Sequence, residues 1–377
     1  MTQNANTSGQ GTSISGRGPL EVLQRLPTSG ARAVVPFELD GSLYLAVPQL
    51  AEDVSGQAPH MNAGNSDIDA ILYRWQEGRF HEAERVFMPG GEDVVFFRIG
   101  AERFLATASV RTGSGPYDLN ACSKIYRRQD GAWVPFQEIP TFAAKHWHYF
   151  GFEGRHFLAL AQGVTIPGAE ARHPRQSCIF EWNGTRFVEF QTLEGRWGYN
   201  WDFFVLDGER YLAYADHTSA STLYRWNGEC FVVFQKLAEQ GGRAFLFFEA
   251  DRDAWLAFAN IAGESILYRW DGSQFTTHQS LGGPGGREFE LIRAESGLYL
   301  VRICFIEGTP AAPKTDLVSQ IFRWDHGRFA TLDEFATFGG TAAAAFEVDG
   351  GRFLAVSNSL TPDVRFREDT VIYRLAL

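Results

Sequence analysis

The chain has 377 residues, of which 45% are hydrophobic and 14% aromatic, and it carries a formal net charge of -11. This apolar content is enough for a folded core and is not typical of a disordered protein. The acidic balance, without a clustered Lys/Arg stripe, excludes nucleic acid as an expected partner. No apolar run approaches the roughly 20 residues of a membrane-spanning helix, so no membrane partner is expected either.

The N-terminal segment, residues 1–18, is rich in Ser, Gly, Thr and Asn and shows no hydrophobic periodicity. This composition predicts a flexible tail ahead of a single domain at residues 19–377. The segment has neither the basic start nor the apolar core of a secretory signal, so a cytoplasmic location is expected. The cysteines lie far apart at no metal-like spacing, which predicts free thiols packed in the interior. They are Cys122, Cys178, Cys230 and Cys304.

A four-strand unit repeats after the tail, and residues 201–237 show it most completely. Two runs of β-forming apolar residues flank Asp207-Gly208, and two more flank Asn227-Gly228. Asp-Gly and Asn-Gly between such runs are the strongest short-range indications of a β-hairpin. The unit is therefore predicted to form four antiparallel strands, none of which buries its apolar face alone.

Seven copies of the unit's final strand follow one another along the chain. They are LEVLQRL from Leu20, FHEAERV from Phe80, WVPFQEI from Trp133, FVEFQTL from Phe187, FVVFQKL from Phe231, FTTHQSL from Phe275 and FATLDEF from Phe329. The strand VIYRL near the C-terminus lacks a partner, whereas the strand from Leu20 lacks a predecessor. Pairing of the two would close a ring, and radial repetition of four-stranded sheets limits exposed edges. The sequence thus predicts an all-β fold, a seven-bladed β-propeller of four-stranded antiparallel blades closed by the N-terminal strand.

The repeated pattern resembles the epilepsy-associated repeat, also called the EAR, EPTP or epitempin repeat. It consists of a Phe-containing strand, Asp-Gly, a strand similar to YLAVAN, a loop, IYRWNG and FxxFQxL, and it covers residues 19–377. The resemblance implies a seven-bladed propeller. It also implies a non-enzymatic role with a protein partner, because characterised members are mostly extracellular adhesion and receptor-binding modules.

The first strand of each unit departs from the repeat at two positions. Two and four residues before a shared apolar position, blades 1, 5 and 7 carry Ala, Val or Leu, whereas the other blades carry polar side chains. The polar residues are Asp93, His146, His148, Asn200, Asp202, Glu288 and Glu290. Residues i and i+2 of a strand share a face, and the first strand is expected to be the innermost of its blade. These side chains are therefore predicted to line or adjoin the central channel, as a site or as the polar lining of a wet channel.

Loops between the second and third strands are expected on the face where the first strands begin. Several are long, and long loops on a rigid scaffold commonly carry binding residues. The loop residues that stand out are His60, Asn62, Tyr117, His173, Arg175, Asp216 and His217. With His146 and His148, five of the nine histidines fall on one predicted face. This concentration is the sharpest indication of function in the sequence.

His146, His148 and Asp202 are the predicted catalytic residues, because they hold equivalent inner-strand positions in adjacent blades and imidazole transfers protons near neutral pH. The same three are candidate ligands of a divalent metal in the channel, since imidazole and carboxylate suit zinc, iron or manganese. The cofactor is otherwise unknown. A hydrogen-bonded His-Asp contact that merely joins two blades would leave the same pattern. The remaining channel residues and the loop residues named above are the predicted ligand-binding set.

Two functions from different classes agree with these features. The first is a small-molecule-binding propeller with acid/base or metal-assisted chemistry at the channel mouth, whose partner is a ligand or substrate. The alternative is a non-enzymatic propeller of the EAR/EPTP type that binds a protein partner. A deep, partly apolar pocket favours the first function, and a broad exposed surface favours the second.

Overall fold

The computed structural model describes residues 18–377, and every regular element in that range is a β-strand. The tail expected at residues 1–18 therefore lies, except for Gly18, outside the described residues. Across the described range, no helix has the length and apolar character needed to span a membrane.

Seven four-stranded antiparallel sheets make up the ring. The first strand of the chain, β1 (Leu20–Leu26), is reserved for the last blade. Blade 1 holds β2 (Val35–Leu39), β3 (Ser42–Val47), β4 (Asp69–Gln76) and β5 (Arg79–Phe87), and blade 2 holds β6 (Gly91–Ile99), β7 (Glu102–Ser109), β8 (Cys122–Gln129) and β9 (Ala132–Pro140). Blade 3 holds β10 (His146–Phe152), β11 (Arg155–Ala161), β12 (Cys178–Trp182) and β13 (Phe187–Thr192).

The second half of the ring follows the same order. Blade 4 holds β14 (Gly198–Leu206), β15 (Glu209–Asp216), β16 (Ser221–Trp226) and β17 (Phe231–Ala238), and blade 5 holds β18 (Gly242–Ala250), β19 (Asp253–Asn260), β20 (Ile266–Trp270) and β21 (Phe275–Ser280). Blade 6 starts with β22 (Gly286–Ala294) and β23 (Gly297–Cys304), is interrupted by a small hairpin of β24 (Glu307–Thr309) and β25 (Ala312–Lys314), and ends with β26 (Asp316–Asp325) and β27 (Arg328–Phe338). Blade 7 combines β28 (Gly340–Val348), β29 (Gly351–Asn358) and β30 (Thr370–Leu375) with β1.

The ring closes where the sequence predicted. Strand β1 pairs antiparallel with β30, from Leu20 opposite Leu375 to Leu26 opposite Thr370. The strand that begins the described fold is thus the outermost strand of the last blade. Both predictions, the seven-bladed fold and its closure by the N-terminal strand, are confirmed.

The tight turns have the backbone that their residues predict. Asp207 and Gly208, between β14 and β15, have φ values of 52° and 80°. Two consecutive residues with positive φ are what a type I′ hairpin turn requires. Turns of this kind lie on one face of the ring, and the longer loops lie on the other.

Aromatic side chains from neighbouring inner strands fill the spaces between blades. The ring of Phe150 stacks on Phe203 of the next blade at 4.6 Å between centroids, and Phe204 stacks on Phe247 at 4.0 Å. Offset stacking of this kind adds to the apolar burial itself. The many phenylalanines of the sequence are therefore explained by packing between blades.

A glutamine on the outermost strand ties each of five blades to the next one. Gln235 of β17 donates from Nε2 to the Phe275 carbonyl at 2.7 Å and accepts from the Phe275 N–H at 2.9 Å. We call this pair of hydrogen bonds from one glutamine side chain to one backbone residue an amide clamp. Four more amide clamps join Gln24 to Phe80, Gln137 to Phe187, Gln191 to Phe231 and Gln279 to Phe329. The Gln of FxxFQxL and the Phe that begins the next copy are thus partners across the blade boundary.

Blade 1 replaces the clamp with an ion pair. Its outer strand carries Glu84 at the glutamine position, and Arg128 of blade 2 donates to Glu84 at 2.7 Å. The pair is partly buried, so it is less screened than a surface pair. Neighbouring blades are therefore joined by a charged contact here instead of the amide.

The cysteines are all unpaired, but they are not all interior. Cys178 and Cys304 are buried, Cys230 is half-buried and Cys122 is exposed at the start of β8. The expectation of interior packing is therefore wrong for Cys122, because the last position of a long loop faces solvent. Free thiols themselves are what the sequence predicted.

Closure of the ring can be tested by truncation. Deletion of residues 1–27 removes β1 and exposes the edge of β30, so we expect aggregation or a melting temperature lower by about 5 °C or more. Deletion of residues 1–17 leaves every strand of the ring in place and serves as the control. Equal melting temperatures for the two truncations and the full chain would contradict the closed ring.

Candidate functional site

The polar side chains predicted for the channel do lie on the innermost strands. The first strands of the seven blades pack against one another around the axis. His146, His148, Asn200, Asp202, Glu288 and Glu290 are half-buried there, and Asp93 is 8% exposed. Trp147 and Trp201, which alternate with these residues, point the other way into the packing between blades and are fully buried.

Both histidines accept hydrogen bonds from the backbone of the next blade. His146 Nδ1 accepts from the Trp201 N–H and His148 Nε2 accepts from the Phe203 N–H, each at 3.2 Å. Strand β14 is the inner edge of its sheet, so these N–H groups have no strand partner on that side. The imidazoles therefore satisfy an otherwise unpaired strand edge.

Four more channel side chains do the same at other blade boundaries. Asp93 accepts from the Trp147 N–H at 2.8 Å, Asn200 from Phe245 at 3.0 Å, Asp202 from Phe247 at 2.6 Å and Glu290 from Ala345 at 2.8 Å. Each bond runs from a side chain of one inner strand to the backbone of the next inner strand. Six of the seven predicted channel residues, all except Glu288, thus have a structural role at the channel wall.

The environment makes the two imidazoles poor bases at neutral pH. Burial, with smaller contributions from His148 and Arg287, lowers the pKa of His146 to about 3. Burial lowers the pKa of His148 to about 4. Both rings are therefore neutral at physiological pH, which agrees with their role as hydrogen-bond acceptors.

The channel carboxyls are shifted in the opposite direction. Burial raises the pKa of Asp93 and of Asp202 to about 7, although a backbone N–H bond opposes the shift in each case. It also raises the pKa of Glu290 to about 7 and that of Glu288 to about 8, with Arg287 opposing the shift of Glu288. Near pH 7 these groups are at least partly protonated, so the channel carries less negative charge than its sequence indicates.

The predicted metal ligands do not form a metal-binding group. Within residues 18–377, no three side chains of His, Cys, Asp and Glu are arranged to hold a metal ion. The rings of His146 and His148 lie 6.2 Å apart, and the Asp202 carboxylate binds the backbone of blade 5. The arrangement of His146, His148 and Asp202 therefore does not fit a divalent metal. Their assignment as catalytic residues stays a prediction.

Two of the predicted loop residues are engaged in turns. His60 Nδ1 accepts from the Asn62 N–H at 3.1 Å, and the Asn62 carbonyl accepts from Arg111 at 2.7 Å. Tyr117 donates its hydroxyl to the Gly64 carbonyl at 2.8 Å. His173 is half-buried and Arg175 is exposed in the loop of blade 3. These residues lie on the loop face as predicted, and whether they bind a ligand stays a prediction.

Asp216 has a structural role, because its side chain binds the backbone of two neighbouring loop segments. It is fully buried, and its carboxylate accepts from the N–H groups of Arg196, Trp197, Thr218 and Ser219 and from the Tyr214 hydroxyl. Burial alone would raise its pKa, but the backbone donors outweigh burial and lower it. The neighbouring His217 stands edge-on to Trp197 at 5.0 Å between centroids. The Asp216 carboxylate is therefore engaged with the backbone of the two segments that flank it, whereas His217 packs against Trp197.

A ring of residues that the sequence reasoning missed lies at the start of the inner strands. It occupies the position five residues before the shared apolar residue of each blade. We call it the mouth ring; its members are Arg32, Glu92, Lys145, Tyr199, Arg243, Arg287 and Thr341. Their position has the wrong parity for the channel face of a regular strand, so strict alternation placed them between blades.

β-bulges explain the discrepancy. The pairing of inner and second strands skips one residue in blades 2, 4, 5, 6 and 7, for example between Gly242 and Ala244 in blade 5. The skipped residue is the member of the mouth ring, and an extra residue of this kind re-aims its side chain. The residue before it is glycine in those five blades, and a Cβ on Gly242 would collide with Ser221 of the preceding blade. A glycine repeated at one position of the unit, and followed by a charged residue in three of the five copies, was the indication available in the sequence.

The charges of the mouth ring converge on the channel axis. Arg32 donates to Glu92 at 2.8 Å, and Arg287 lies 3.7 Å from the other carboxylate oxygen of Glu92. The Arg243 guanidinium stacks on the Tyr199 ring at 3.9 Å, and Arg287 lies 5.1 Å from the same ring. Six blades thus bring charged or aromatic side chains to one place.

The long loops form one connected surface on this face. The loops run from 48 to 68, 110 to 121, 162 to 177, 305 to 315 and 359 to 369, and together we call them the loop platform. Arg111 of blade 2 donates to the Asn62 and Ala63 carbonyls of blade 1 and stacks on Tyr117 at 3.9 Å. These contacts lock the loop of blade 2 onto the loop of blade 1.

The other members of the loop platform are joined in the same way. Asn120 of blade 2 donates to the Glu170 carbonyl and accepts from the Arg172 N–H of blade 3, and Arg172 pairs with Asp118. Arg365 of blade 7 donates to the Gln57 carbonyl of blade 1, and Thr315 of blade 6 donates to the Thr361 carbonyl of blade 7. Five adjacent blades therefore share one hydrogen-bonded loop surface.

Beneath the loop platform lies a small apolar core of its own. It contains Leu50, Ala51, Phe305, Ile306, Leu360 and Phe366, all buried. These residues come from blades 1, 6 and 7, so the loops are held by packing as well as by polar contacts. Long loops that pack on an apolar core of their own are expected to keep their shape in the absence of a partner.

Comparison with known proteins places most of these strands in one family. Residues 20–76, 134–183, 186–227, 231–271 and 328–375 match the EPTP domain, which is more than half of the chain. The human thrombospondin-type laminin G domain and EAR repeat-containing protein is 30% identical over 154 residues, which are 40% of this chain and 22% of that protein. Leucine-rich repeat LGI family member 3 of Mus musculus is 28% identical over 223 residues, which are 50% of this chain and 38% of that protein. The matches thus span well under half the length of these curated relatives.

Among solved structures, the fold is similar to that in a crystal structure of BBS1N in complex with ARL6DN. The TM-score is 0.57 at 12% sequence identity, over 96% of this chain and 98% of that one. At such low identity the similarity concerns the fold alone.

The raised pKa of Asp202 gives a pH-dependent test of the channel wall. An aspartate of the unfolded chain ionises near pH 4, whereas folded Asp202 keeps its proton to about pH 7. Between these values the folded state binds more protons, so the contribution of Asp202 to the free energy of unfolding falls as pH rises. Asp202→Asn keeps an oxygen for the Phe247 N–H and cannot ionise. We expect the difference in melting temperature, Asp202→Asn minus wild type, to increase by at least about 2 °C from pH 5 to pH 8.

The control is Asp207→Asn, a substitution at an exposed turn residue. Its difference from the wild type should not change over the same pH range. A difference for Asp202→Asn that is equally independent of pH would contradict the raised pKa.

Proposed function

Because the chain belongs to the EPTP domain family, we propose that it is a non-enzymatic protein-interaction propeller that binds a protein partner over the loop platform. The observation that carries this proposal is the connection of five loops, from blades 6, 7, 1, 2 and 3, into one surface. A surface drawn from five blades has the breadth of a protein interface, unlike a pocket for a single small ligand.

Preorganisation supports the same function. Ordering of loops at an interface costs free energy on binding, and loops already fixed in their bound shape avoid that cost. The loops of the platform are already ordered by contacts within the chain. These contacts are the ion pairs of Arg172 with Asp118 and of Arg367 with Asp53, and the apolar core beneath the loops. A rigid platform of this kind suits recognition of a folded partner.

The catalytic alternative finds less support in the channel. His146 and His148 are neutral near pH 7 and already bind the backbone of blade 4. A general base needs a free lone pair within reach of the proton that it removes and a pKa near the working pH. The surroundings of the two imidazoles favour a role in holding blades together.

The unpaired cysteines are compatible with the cytoplasmic location expected from the sequence, so the partner is best sought in a cytoplasmic extract. A photo-reactive amino acid placed at His60 or Arg175 probes the loop platform. The same residue at Glu209 or Glu229, both exposed near turns of the opposite face, provides the matched control.

Discrete cross-linked adducts should form from the platform positions alone and disappear when unlabelled full-length chain is added in excess. The adducted protein should then bind purified chain directly, and a charge reversal at Arg172 should weaken that binding roughly tenfold, or about 1.4 kcal/mol. Adducts that arise equally from both faces, or no adduct from either platform position, would contradict the proposed surface.

A further inference from the structure

We propose that the mouth ring binds a small oxyanion with two or more negative charges, such as phosphate, a phosphate monoester or a dicarboxylate. This site is independent of the protein partner proposed above, and two of its cations, Arg243 and Arg287, lie at β-bulges of the inner strands. Four cationic side chains, Arg32, Lys145, Arg243 and Arg287, surround a single carboxylate, Glu92.

Burial makes this excess of positive charge unusual. Each of the four cations is between 6% and 9% exposed, and Glu92 is 5% exposed. Charged side chains at such depth are ordinarily paired one to one, because an unpaired charge in a poorly hydrated place is destabilising. Here three formal positive charges are left once Glu92 is paired with Arg32.

Lys145 donates to the Ala143 and Gly163 carbonyls at 2.8 Å and 3.0 Å, so the unused donors of the mouth ring are on its arginines. Arg243 donates to the adjacent Gly242 carbonyl at 3.1 Å and otherwise stacks on Tyr199. Among residues 18–377, the buried donor Arg32 Nε has no acceptor. The acceptor Glu92 Oε2 is also without a hydrogen bond, because Arg287 approaches it only to 3.7 Å. Guanidinium groups with free N–H edges are the donors best matched to the two oxygens of a carboxylate or phosphate.

Neighbouring groups do not cancel the charge. The carboxyls next below in the channel, Asp93 and Glu288, have pKa values raised by burial to about 7 and about 8, so near neutrality Asp93 is partly protonated and Glu288 mostly protonated. The pKa of Lys145 is lowered by burial, and further by Arg243, Arg287 and Arg32, to about 7. Burial, with Arg287 and Arg32, likewise lowers the pKa of Arg243 to about 10. Mutual repulsion of this kind is what a bound dianion would relieve.

The depth of the ring decides the size of the ligand. A protein surface or a nucleic acid backbone cannot reach side chains with so little exposure, whereas a free ion of a few atoms can. Aromatic groups complete the surroundings: Lys145 Nζ lies 5.9 Å from the Trp197 ring, and the Arg32 guanidinium lies 5.1 Å from the Phe305 ring. The buried indole N–H of Trp197 has no acceptor within the described residues, so it is a further free donor near Lys145.

The first test uses the full wild-type chain and three probes: inorganic phosphate, succinate and, as the monovalent control, chloride at matched ionic strength. Calorimetric titration and thermal melting should show saturable binding of phosphate or succinate with one ion per chain and a rise in melting temperature. Chloride at the same ionic strength should produce neither. Binding of phosphate but not of succinate would identify a phosphate ligand. Binding of succinate but not of phosphate would identify a dicarboxylate. Melting temperatures that follow ionic strength alone, with no heat of binding, would overturn the site.

The second test removes one cation. Arg243→Gln lowers the repulsion in the ring, so without added anion the variant should melt at or above the temperature of the wild type, and it should lose at least tenfold in anion affinity. A purely structural role of Arg243 on the Tyr199 ring predicts the opposite, an equal loss of stability with and without anion. Arg186→Gln, at an exposed turn of blade 3, is the matched control and should leave both properties unchanged.

A third measurement does not depend on any variant. Crystals of the wild-type chain soaked in selenate, an anomalous scatterer with the shape and charge of sulfate, should show a peak among Arg32, Arg243 and Arg287. The absence of a peak there, at a selenate concentration that saturates the site in solution, would overturn the assignment. This result holds even if Arg243→Gln fails to fold.

Discussion

The ring depends on hydrogen bonds that pass from a side chain of one blade to the backbone of the next. Each four-stranded blade has two edges, an inner one at the channel and an outer one at the rim, and the N–H and C=O groups of an edge need partners. At the rim, five amide clamps such as Gln235 with Phe275 provide them. At the channel, His148, Asp202 and Glu290 accept from the inner edge of the following blade. At about 1 kcal/mol net for each bond, these contacts hold neighbouring blades in register where apolar packing alone could slip.

The same bonds separate two kinds of polar residue in the channel. His146, Asn200 and Asp202 have backbone partners, so their presence is explained by the wall that they help to build. The cations of the mouth ring differ, because Arg243 and Arg287 exceed the charge of their one carboxylate. They also keep N–H groups that find no acceptor in the described part of the chain. Contacts within the chain explain the first set of residues but leave donors of the second set free. A ligand is therefore expected at the arginines, not at the histidines.

The repeated sequence pattern was enough to predict most of the fold. Alternation around Asp207-Gly208 and Asn227-Gly228 predicted the strands, and the unpaired copies at the two ends predicted how the ring closes. Alternation also placed His146 and His148 in the channel correctly, since β10 is regular at those residues. It could not tell that their lone pairs face the backbone of the next blade, because that contact depends on the stagger between two sheets.

The mouth ring was missed for a different physical reason. One extra residue per strand reverses the face of every residue before it, and Arg243 and Arg287 lie at that residue. The small hairpin of β24 and β25 was also missed, because a three-residue strand has too little periodicity to be recognised. The partners of the FxxFQxL glutamine were hidden as well, since a polar residue on an outer strand is normally taken as solvent-exposed.

Hydrogen exchange of the wild-type chain tests the central role of the clamps most directly. The N–H groups of Phe231 and Phe275 bind a glutamine of the preceding blade, whereas Trp133 holds the equivalent place in blade 2 and has no such acceptor within residues 18–377. With selective ¹⁵N labelling of Phe and Trp, the account predicts that the two Phe amides exchange at least about tenfold more slowly than the Trp133 amide. Equal exchange rates at the three amides would show that the clamps do not hold the blades together.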